Sequence, residues 1–551
     1  MPDNSNLLSQ IYVKIDGTEV TDEFMGDLLE VSVENSLHLP DVATLVLHDA
    51  RLHWIDDASL VPGKAVQISA KTGRQEKLLF DGEIVELEPD FATNTHQLIV
   101  RAFDRLHRLA RGQHVRSFLN VGDDDLVKKL AQEAGLQAQI GPTHQLHPYI
   151  FQNNETNLAF LQRRAAALGY LLYVLGKTLH CEALQSNGQP IELEWGVTLR
   201  EFHPRLTTIG QVDGVTARGW NPANKQEIVG QAQQGQGTPQ VGQSGSGGEL
   251  AHSAFSIDAQ VLVANQPIRT QASADTLAQA VADRHAGYFI EADGICSGDP
   301  SLAAGAAVKI KAVGDRFSGT YYVTSTLHVY NAHQGYVTHF SISGHHPSTL
   351  FSLLTRKEEE TLAPEGLVIG IVTDNSDPDG YGRVKVKYPW LSSDHASDWA
   401  RVVAPGGGAQ RGIEFLPEVN DEVLVGFEMG DIHYPYVLGG LWNGQDALPK
   451  KVTSGGKVQQ RIIRSRSGHM ITLDDSDGGG GVTIEDKNGN KVMLDSGSNK
   501  LTITIQGDAG LKAQGNLTLE AQGQVQIKGM GVKMDGGAST VDIKGSMINL
   551  N

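Results

Sequence analysis

Lys491-Val-Met-Leu-Asp-Ser-Gly-Ser-Asn-Lys-Leu-Thr-Ile-Thr-Ile505 places aliphatic residues at every second position, stops at a polar turn and starts again. The same two-step alternation recurs along the tail: Val482 and Ile484; Val492 and Leu494; Leu501, Ile503 and Ile505; Leu517 and Leu519; Val525 and Ile527; Val532 and Met534; Val541 and Ile543; Ile548 and Leu550. Gly, Asn, Asp or Lys separates the units, and no Pro, Cys, Phe, Trp or Tyr occurs after Lys450. A period of two reads as β-strand. The missing prolines indicate that every backbone N–H is needed in a ladder. The missing aromatics indicate an interior too narrow for rings.

Each unit offers only two or three inward side chains, too little to stabilise a lone strand. Stacked units make a quasi-one-dimensional core. A single-chain solenoid and a three-chain prism both satisfy the pattern. The prism accounts better for the thin apolar content, because each chain supplies a third of the core. About nine strands would give a needle roughly 45 Å long with few free edges. The expected axis residues are Val482, Ile484, Val492, Leu494, Leu501, Ile503, Leu517, Leu519, Val525, Ile527, Val541 and Ile543.

Upstream of the tail, residues 365–447 read as a compact β unit. Leu367–Thr373, the alternating Val384, Val386 and Tyr388, Trp399–Val403, Glu422–Glu428 and Tyr434–Leu441 are about five short strands, which suits a small closed barrel such as the OB-fold. Residues 1–360 read as an α+β region. Strands are expected around Ile11–Ile15, Leu45–Leu47, Val66–Ile68 and Leu98–Val100, then again at Ala307–Val313 and Thr320–Val329. Asp123–Asp125 are expected to cap a helix with Leu126, Val127, Leu130 and Ala134 on one face. A second helix starts near Asn157 and buries Leu158, Leu161, Ala165 and Leu168. A third spans about Ser273–Gly287 with Leu277 and Val281 inward. The Gly-, Gln- and Ser-rich stretch at about 230–250 reads as a flexible insert. The charge run Lys357–Glu360 before Pro364 reads as a domain boundary.

A formal net charge of −19 argues against nucleic-acid binding. Cys181 and Cys296 form neither a zinc spacing nor a disulfide framework. Met1–Tyr12 lacks a signal-peptide pattern, and no stretch approaches 18 apolar residues. The expectation is synthesis in the cytoplasm, with any export left to a larger device.

Gly370-Ile-Val-Thr-Asp374, Asp379-Gly-Tyr-Gly-Arg-Val-Lys-Val-Lys-Tyr-Pro-Trp390, Trp399-Ala-Arg-Val-Val-Ala-Pro405, Phe415-Leu-Pro-Glu-Val-Asn-Asp-Glu-Val-Leu-Val-Gly-Phe427 and Gly430-Asp-Ile-His-Tyr-Pro-Tyr-Val-Leu-Gly-Gly-Leu-Trp-Asn443 together resemble the OB domain of VgrG-type spikes of contractile injection systems. Asn153-Asn-Glu-Thr-Asn-Leu-Ala-Phe-Leu-Gln162 resembles the matching hub segment. The resemblance implies a hub over 1–360, an OB collar over 365–447 and a trimeric β-prism or β-helix needle over 448–551. It also implies a homotrimer seated on a hexameric inner tube among baseplate proteins. A PAAR-type tip protein would dock at Ile548–Leu550, effectors would be cargo, and the target membrane would be touched transiently. The opening Ile11–Asp49 and the short C-terminus resemble the extracellular phage-tail-like particles more than a type VI tip. Asn443–Arg461 is too short to hold the lysozyme of some phage spikes, and no His follows His469 to build an apical metal site.

The candidate chemistry is thin. His144 and His147, and the pair His345-His346, stand without Cys or carboxylate motifs and read as loops. Asp374, Asp377 and Asp379 lack the full calcium-loop pattern and read as a turn, as do Asp474, Asp475 and Asp477. Gly406-Gly-Gly408 lacks the Lys of a phosphate loop, and neither G-x-S-x-G nor H-E-x-x-H occurs. No catalytic, cofactor or metal residue is assigned. The expected function is mechanical: a non-enzymatic central spike driven through an envelope by sheath contraction. Two rivals are a polysaccharide-cleaving β-helix enzyme, disfavoured by the absence of aromatics after Trp442, and a cell-surface-binding trimeric fibre.

Overall fold

The computed structural model describes residues 10–549 apart from 73–74, 93–94, 144–145, 184–188, 236–238, 332–334, 345–365 and 393. His144, His345-His346, the boundary at 357–364 and Leu550 lie outside the described residues. The chain divides into two compact units, Met1–Leu441 and Trp442–Asn551.

The first unit is organised by an eleven-stranded sheet. Val42–His48 lies between Leu28–Ser36 and Thr95–Phe103, all antiparallel. Gln75–Ala92, Ala65–Thr72 and Gln10–Ile15 continue the sheet. The expected alternation holds: Ile11, Val13, Ile15, Leu45, Leu47, Val66, Ile68, Leu98 and Val100 are all buried in one core. On the other side Leu28–Ser36 pairs with Ser325–Asn331, bringing Val33 opposite His328. Gly335–Ile342, Ile290–Ser297 and Leu199–Leu206 extend the sheet from there. Thr320–Val329, expected as one strand, is two. Gly319–Tyr322 joins a four-stranded sheet and Ser325–Asn331 joins the large one. The break falls at Val323-Thr324, both buried, where the chain passes from one core to the other.

The two helices Asp123–Glu133 and Asn157–Leu168 enclose a second core. Thr156 caps the latter by accepting from the Ala159 N–H at 3.1 Å, and Gly169 ends it in the left-handed region at φ 70°. Leu161 and Ala165 are buried as the periodicity requires, with Phe160 beside them. The first helix departs from expectation. Gly122, not an aspartate, is its N-cap, and Asp123 is buried inside the structure.

The segment 230–250 is also different from its composition. It contains the end of the strand Gln226–Ala232, the strand Gln240–Val241, and the start of the helix Gly247–Phe255. Ser246 and Glu249 form a reciprocal capping box there. Its glycines serve close packing. A Cβ on Gly230 would lie 2.3 Å from the Ala274 backbone in the helix Gln271–Gly287, and one on Gly235 would lie 2.4 Å from Ala286 Cβ. That helix packs through the small residues Ala274, Ala278 and Ala282, with Leu277 and Val281 half-buried at its flanks. Gly230→Val is expected to lower stability by about 1–3 kcal/mol, because the backbone of a packed helix must move. A urea titration of the full chain checks it.

Val368–Asp374, Arg383–Lys387, Ala400–Val402, Pro435–Gly440 and Glu422–Phe427 close into the expected five-stranded barrel. Val372, Val384, Val386, Val423, Val425 and Val437 fill it, and Phe151 from the preceding region joins the same cluster.

In the second unit, Gln460–Arg464, Met470–Asp474, Gly481–Glu485, Lys491–Asp495 and Lys500–Thr504 form an antiparallel meander. These strands pair with one another inside the chain. Residues 505–549 belong to no sheet among the described residues.

Candidate functional site: the tail face and the collar junction

The meander has two different faces. Directly opposed residues of an antiparallel pair share a face. The register therefore lines up Leu473, Val482, Leu494 and Leu501 in one column. Ile463, Ile471, Ile484, Val492 and Ile503 form the column beside it. Those nine aliphatic side chains make one continuous surface. The reverse face carries Ile462, Thr472, Thr483, Met493 and Thr502 in register.

A sheet in water buries its aliphatic face and exposes its threonines. Here Leu494, Leu501 and Ile503 are 51%, 57% and 61% exposed, while Thr472 is buried. The six expected axis residues from Val482 to Ile503 thus share one face of one sheet. Leu517, Leu519, Val525, Ile527, Val541, Ile543 and Ile548 are also exposed and lie on the unpaired stretch. A contiguous exposed apolar strip of this length exceeds what an ordinary soluble surface carries. Turn chemistry holds the register. Asp486 accepts from the N–H groups of Asn488 and Asn490 at 2.8 and 2.9 Å. A Cβ on Gly481 would lie 1.9 Å from the Leu494 carbonyl oxygen and one on Gly480 2.6 Å from the Asp474 carbonyl oxygen, so these two glycines are a steric requirement.

The aspartate groups are occupied by hydrogen bonds and ion pairs within the chain. Both oxygens of Asp377 accept from Arg383, at 2.9 and 2.6 Å, and its carboxylate also receives the N–H groups of Asp379, Tyr381 and Arg383. The Arg383 hydrogen bond holds the Asp377 carboxyl far below the usual range. Asp474 accepts from Gln460 and Ser476, Asp475 pairs with Arg461, and Asp477 pairs with Lys457. Gly408 and Arg411 close a small turn.

Polar contacts pin the barrel to the preceding region. The Phe151 N–H donates to His433 Nε2 at 2.9 Å, so His433 carries its proton on Nδ1, facing Asp431 at 2.6 Å. The Tyr149 hydroxyl donates to the Ala396 carbonyl at 3.0 Å. Arg269 donates to Glu428 at 2.5 Å and lies 4.6 Å over the Tyr434 ring. Sequence reading missed this junction because its partners are more than 150 residues apart.

His147 has a structural role. Its Nε2 lies 3.0 Å from Asp123 Oδ2, and Arg164 donates to Asp123 Oδ1 at 2.7 Å. Burial pushes the Asp123 carboxyl up, but the bonds to His147 and Arg164 outweigh it and leave the group below its ordinary value. Cys181 and Cys296 are both buried and free, and burial raises each thiol to about 12.

Asp104 is a second buried acid. It accepts from the Leu106 N–H at 2.9 Å, and its own N–H donates to the Asp41 carbonyl. Burial, with the Asp41 charge nearby, raises its carboxyl to about 8. The folded chain therefore keeps this proton longer than the unfolded chain, whose value is near 3.8. Stability from this group is full below the lower value and is lost as pH rises through the upper one. Asp104→Asn keeps a capping oxygen and removes the charge. Its denaturation midpoint is expected to exceed that of the parent at pH 8.5 and to match it at pH 4, as urea titrations at the two pH values would show.

Residues 5–331, more than half of the chain, match the model of the Alg8 N-terminal domain. Residues 368–442 match that of the type VI secretion system/phage-baseplate injector OB domain. The chain belongs to the VgrG-type spike family and carries an Alg8-type N-terminal domain. The VgrG-type assignment is consistent with a type VI secretion system spike protein, VgrG5 of Pseudomonas aeruginosa, that is 33% identical over 135 residues. That match covers 23% of this chain and 16% of the relative, so the chain spans less than a fifth of that VgrG's length. The VgrG-type fold recurs in a type VI secretion system component of E. coli, with a TM-score of 0.50 at 13% identity over 78% of this chain and 99% of that one. It recurs too in the Francisella PdpA-VgrG complex, with a TM-score of 0.52 at 10% identity over 90% of this chain and 88% of that one. Among the described residues of this VgrG-type chain, no helix is long and apolar enough to cross a membrane.

Proposed function

We propose that this chain is the central hub and spike of a contractile injection system, working as a homotrimer. The observation that carries the reading is the uncovered aliphatic face from Ile463 to Ile503, continued by the unpaired strip 505–549. Three copies arranged about an axis would turn nine aliphatic side chains per chain inward. The strip beyond Ile505 would find its ladder partners in the two sister chains, which supplies the N–H acceptors that one chain lacks. A slender hydrogen-bonded prism of this kind resists bending and concentrates force on a small area. The role is mechanical and non-enzymatic. The eleven-stranded region would seat on the inner tube, and a small PAAR-type tip would cover the end near Ile548, with effectors as cargo. The family membership supports this reading, as does the barrel tied to the hub through Phe151 and Arg269. The test is the mass of the folded full chain by analytical ultracentrifugation. Three copies are expected, and a folded monomer overturns the proposal.

A further inference from the structure

Away from the tail, three side chains from separate segments converge on the hub. Asp213 precedes the strand Gly214–Asn221, His252 sits in the last turn of the helix Gly247–Phe255, and Asp258 follows that helix. His252 Nδ1 lies 3.2 Å from Asp258 Oδ1 and 3.9 Å from Asp213 Oδ2. One ligand atom from each residue lies within 4.8 Å of the others. Donors that each sit about 2.0–2.2 Å from a shared ion lie at most about 4.4 Å apart, and the separations of 3.2 and 3.9 Å from His252 fall within that span.

The cluster is held by backbone. The Asp213 N–H donates to the Ala259 carbonyl at 2.8 Å, and the Ala259 N–H donates back to Asp213 Oδ2 at 2.6 Å. These bonds start the parallel pairing of Gly214–Asn221 with Gln260–Val263. On the other side, the Ser256 N–H caps the helix on the His252 carbonyl with Ser256 in the left-handed region. Two carboxylates and the negative end of a nine-residue helix face one imidazole. Among the described residues no Lys or Arg pairs with either aspartate, so the site lacks a balancing cation.

We propose that Asp213, His252 and Asp258 bind a divalent transition-metal ion that fastens the helix end to the two parallel strands. One imidazole and two carboxylates form a donor set for zinc-class ions, with the remaining positions left to water because His252 and Asp258 face solvent. The alternative is a plain ion pair between a protonated His252 and Asp258.

The test uses the full chain freed of metal with chelator and titrated with Zn²⁺ at pH 7.5 by calorimetry. One ion per chain is expected, with binding weakened about tenfold or more in both His252→Ala and Asp258→Asn. A second measurement needs no variant: Zn²⁺ should shield His252 from carbethoxylation by diethyl pyrocarbonate, read by mass spectrometry. No uptake, uptake unchanged in both variants, or equal modification of His252 with and without Zn²⁺ overturns the site. The oligomeric state does not enter these readouts, so the trimer proposal stands or falls separately.

Discussion

Ile484→Asp is expected to abolish the trimer and leave a folded hub and collar on a monomeric chain. Ile484 lies at the middle of its column, opposite Ile471 on one strand and Val492 on the other. In the proposed assembly its side chain meets two symmetry copies on the axis. Each copy would forfeit about 1.5–3 kcal/mol of isoleucine burial. Each would also place a carboxylate in a dry interior, at a cost of several kcal/mol per ion. Symmetry repeats both terms three times and sets three like charges side by side, so the summed effect exceeds what an ordinary interface supplies. Sedimentation should show the mass fall from three chains to one. Thr502→Asp is the control. It lies on the opposite face, paired with Met493, and should leave the trimer intact. If Ile484→Asp remains trimeric, the aliphatic face is not the axis.

The second large effect is expected at Asp123→Ala. The carboxylate is almost fully buried, between Arg164 and His147. Its removal leaves the Arg164 guanidinium, itself only 19% exposed, without its anion. Breaking one partner of a buried pair costs about 3–5 kcal/mol, far above the value of a surface ion pair. Guanidinium titration followed by circular dichroism should show the hub transition move to lower denaturant while the chain still folds at low temperature. Asp123→Leu combined with Arg164→Met removes both charges and should recover most of the loss. The pH dependence has the opposite sign to that of Asp104. The Asp123 carboxyl lies below its ordinary 3.8 in the folded chain, so its stabilisation is present above that value and disappears as pH falls through the folded one.

The two buried aspartates show where local reading ends. Asp123-Asp-Asp125 before an amphipathic run looks like a capping cluster, and the helix does begin there. Which aspartate turns inward depends on Arg164 and His147, placed by the next helix and by the strand Leu146–Glu155. Glycine content misleads in a similar way at Gly230 and Gly235. Glycine permits both a loose linker and a tight strand-on-helix contact, and only the neighbour, Ala274 or Ala286, distinguishes them. The cluster of Asp213, His252 and Asp258 was equally hidden, because an exposed His between scattered aspartates has no recognisable spacing.

Periodicity alone was enough for the barrel strands and the helices around Leu126 and Leu161, where a period of two or of 3.6 records which side chains face the core. In the tail the same period of two records which side chains share one face. Contacts between distant segments required the folded chain. The Leu28–Ser36 ladder with Ser325–Asn331, the split at Val323-Thr324, and the hooks of His433 and Arg269 across the collar junction are of this kind. No local pattern encodes them, since a strand's alternation states that it has a buried side but not which strand will lie beside it.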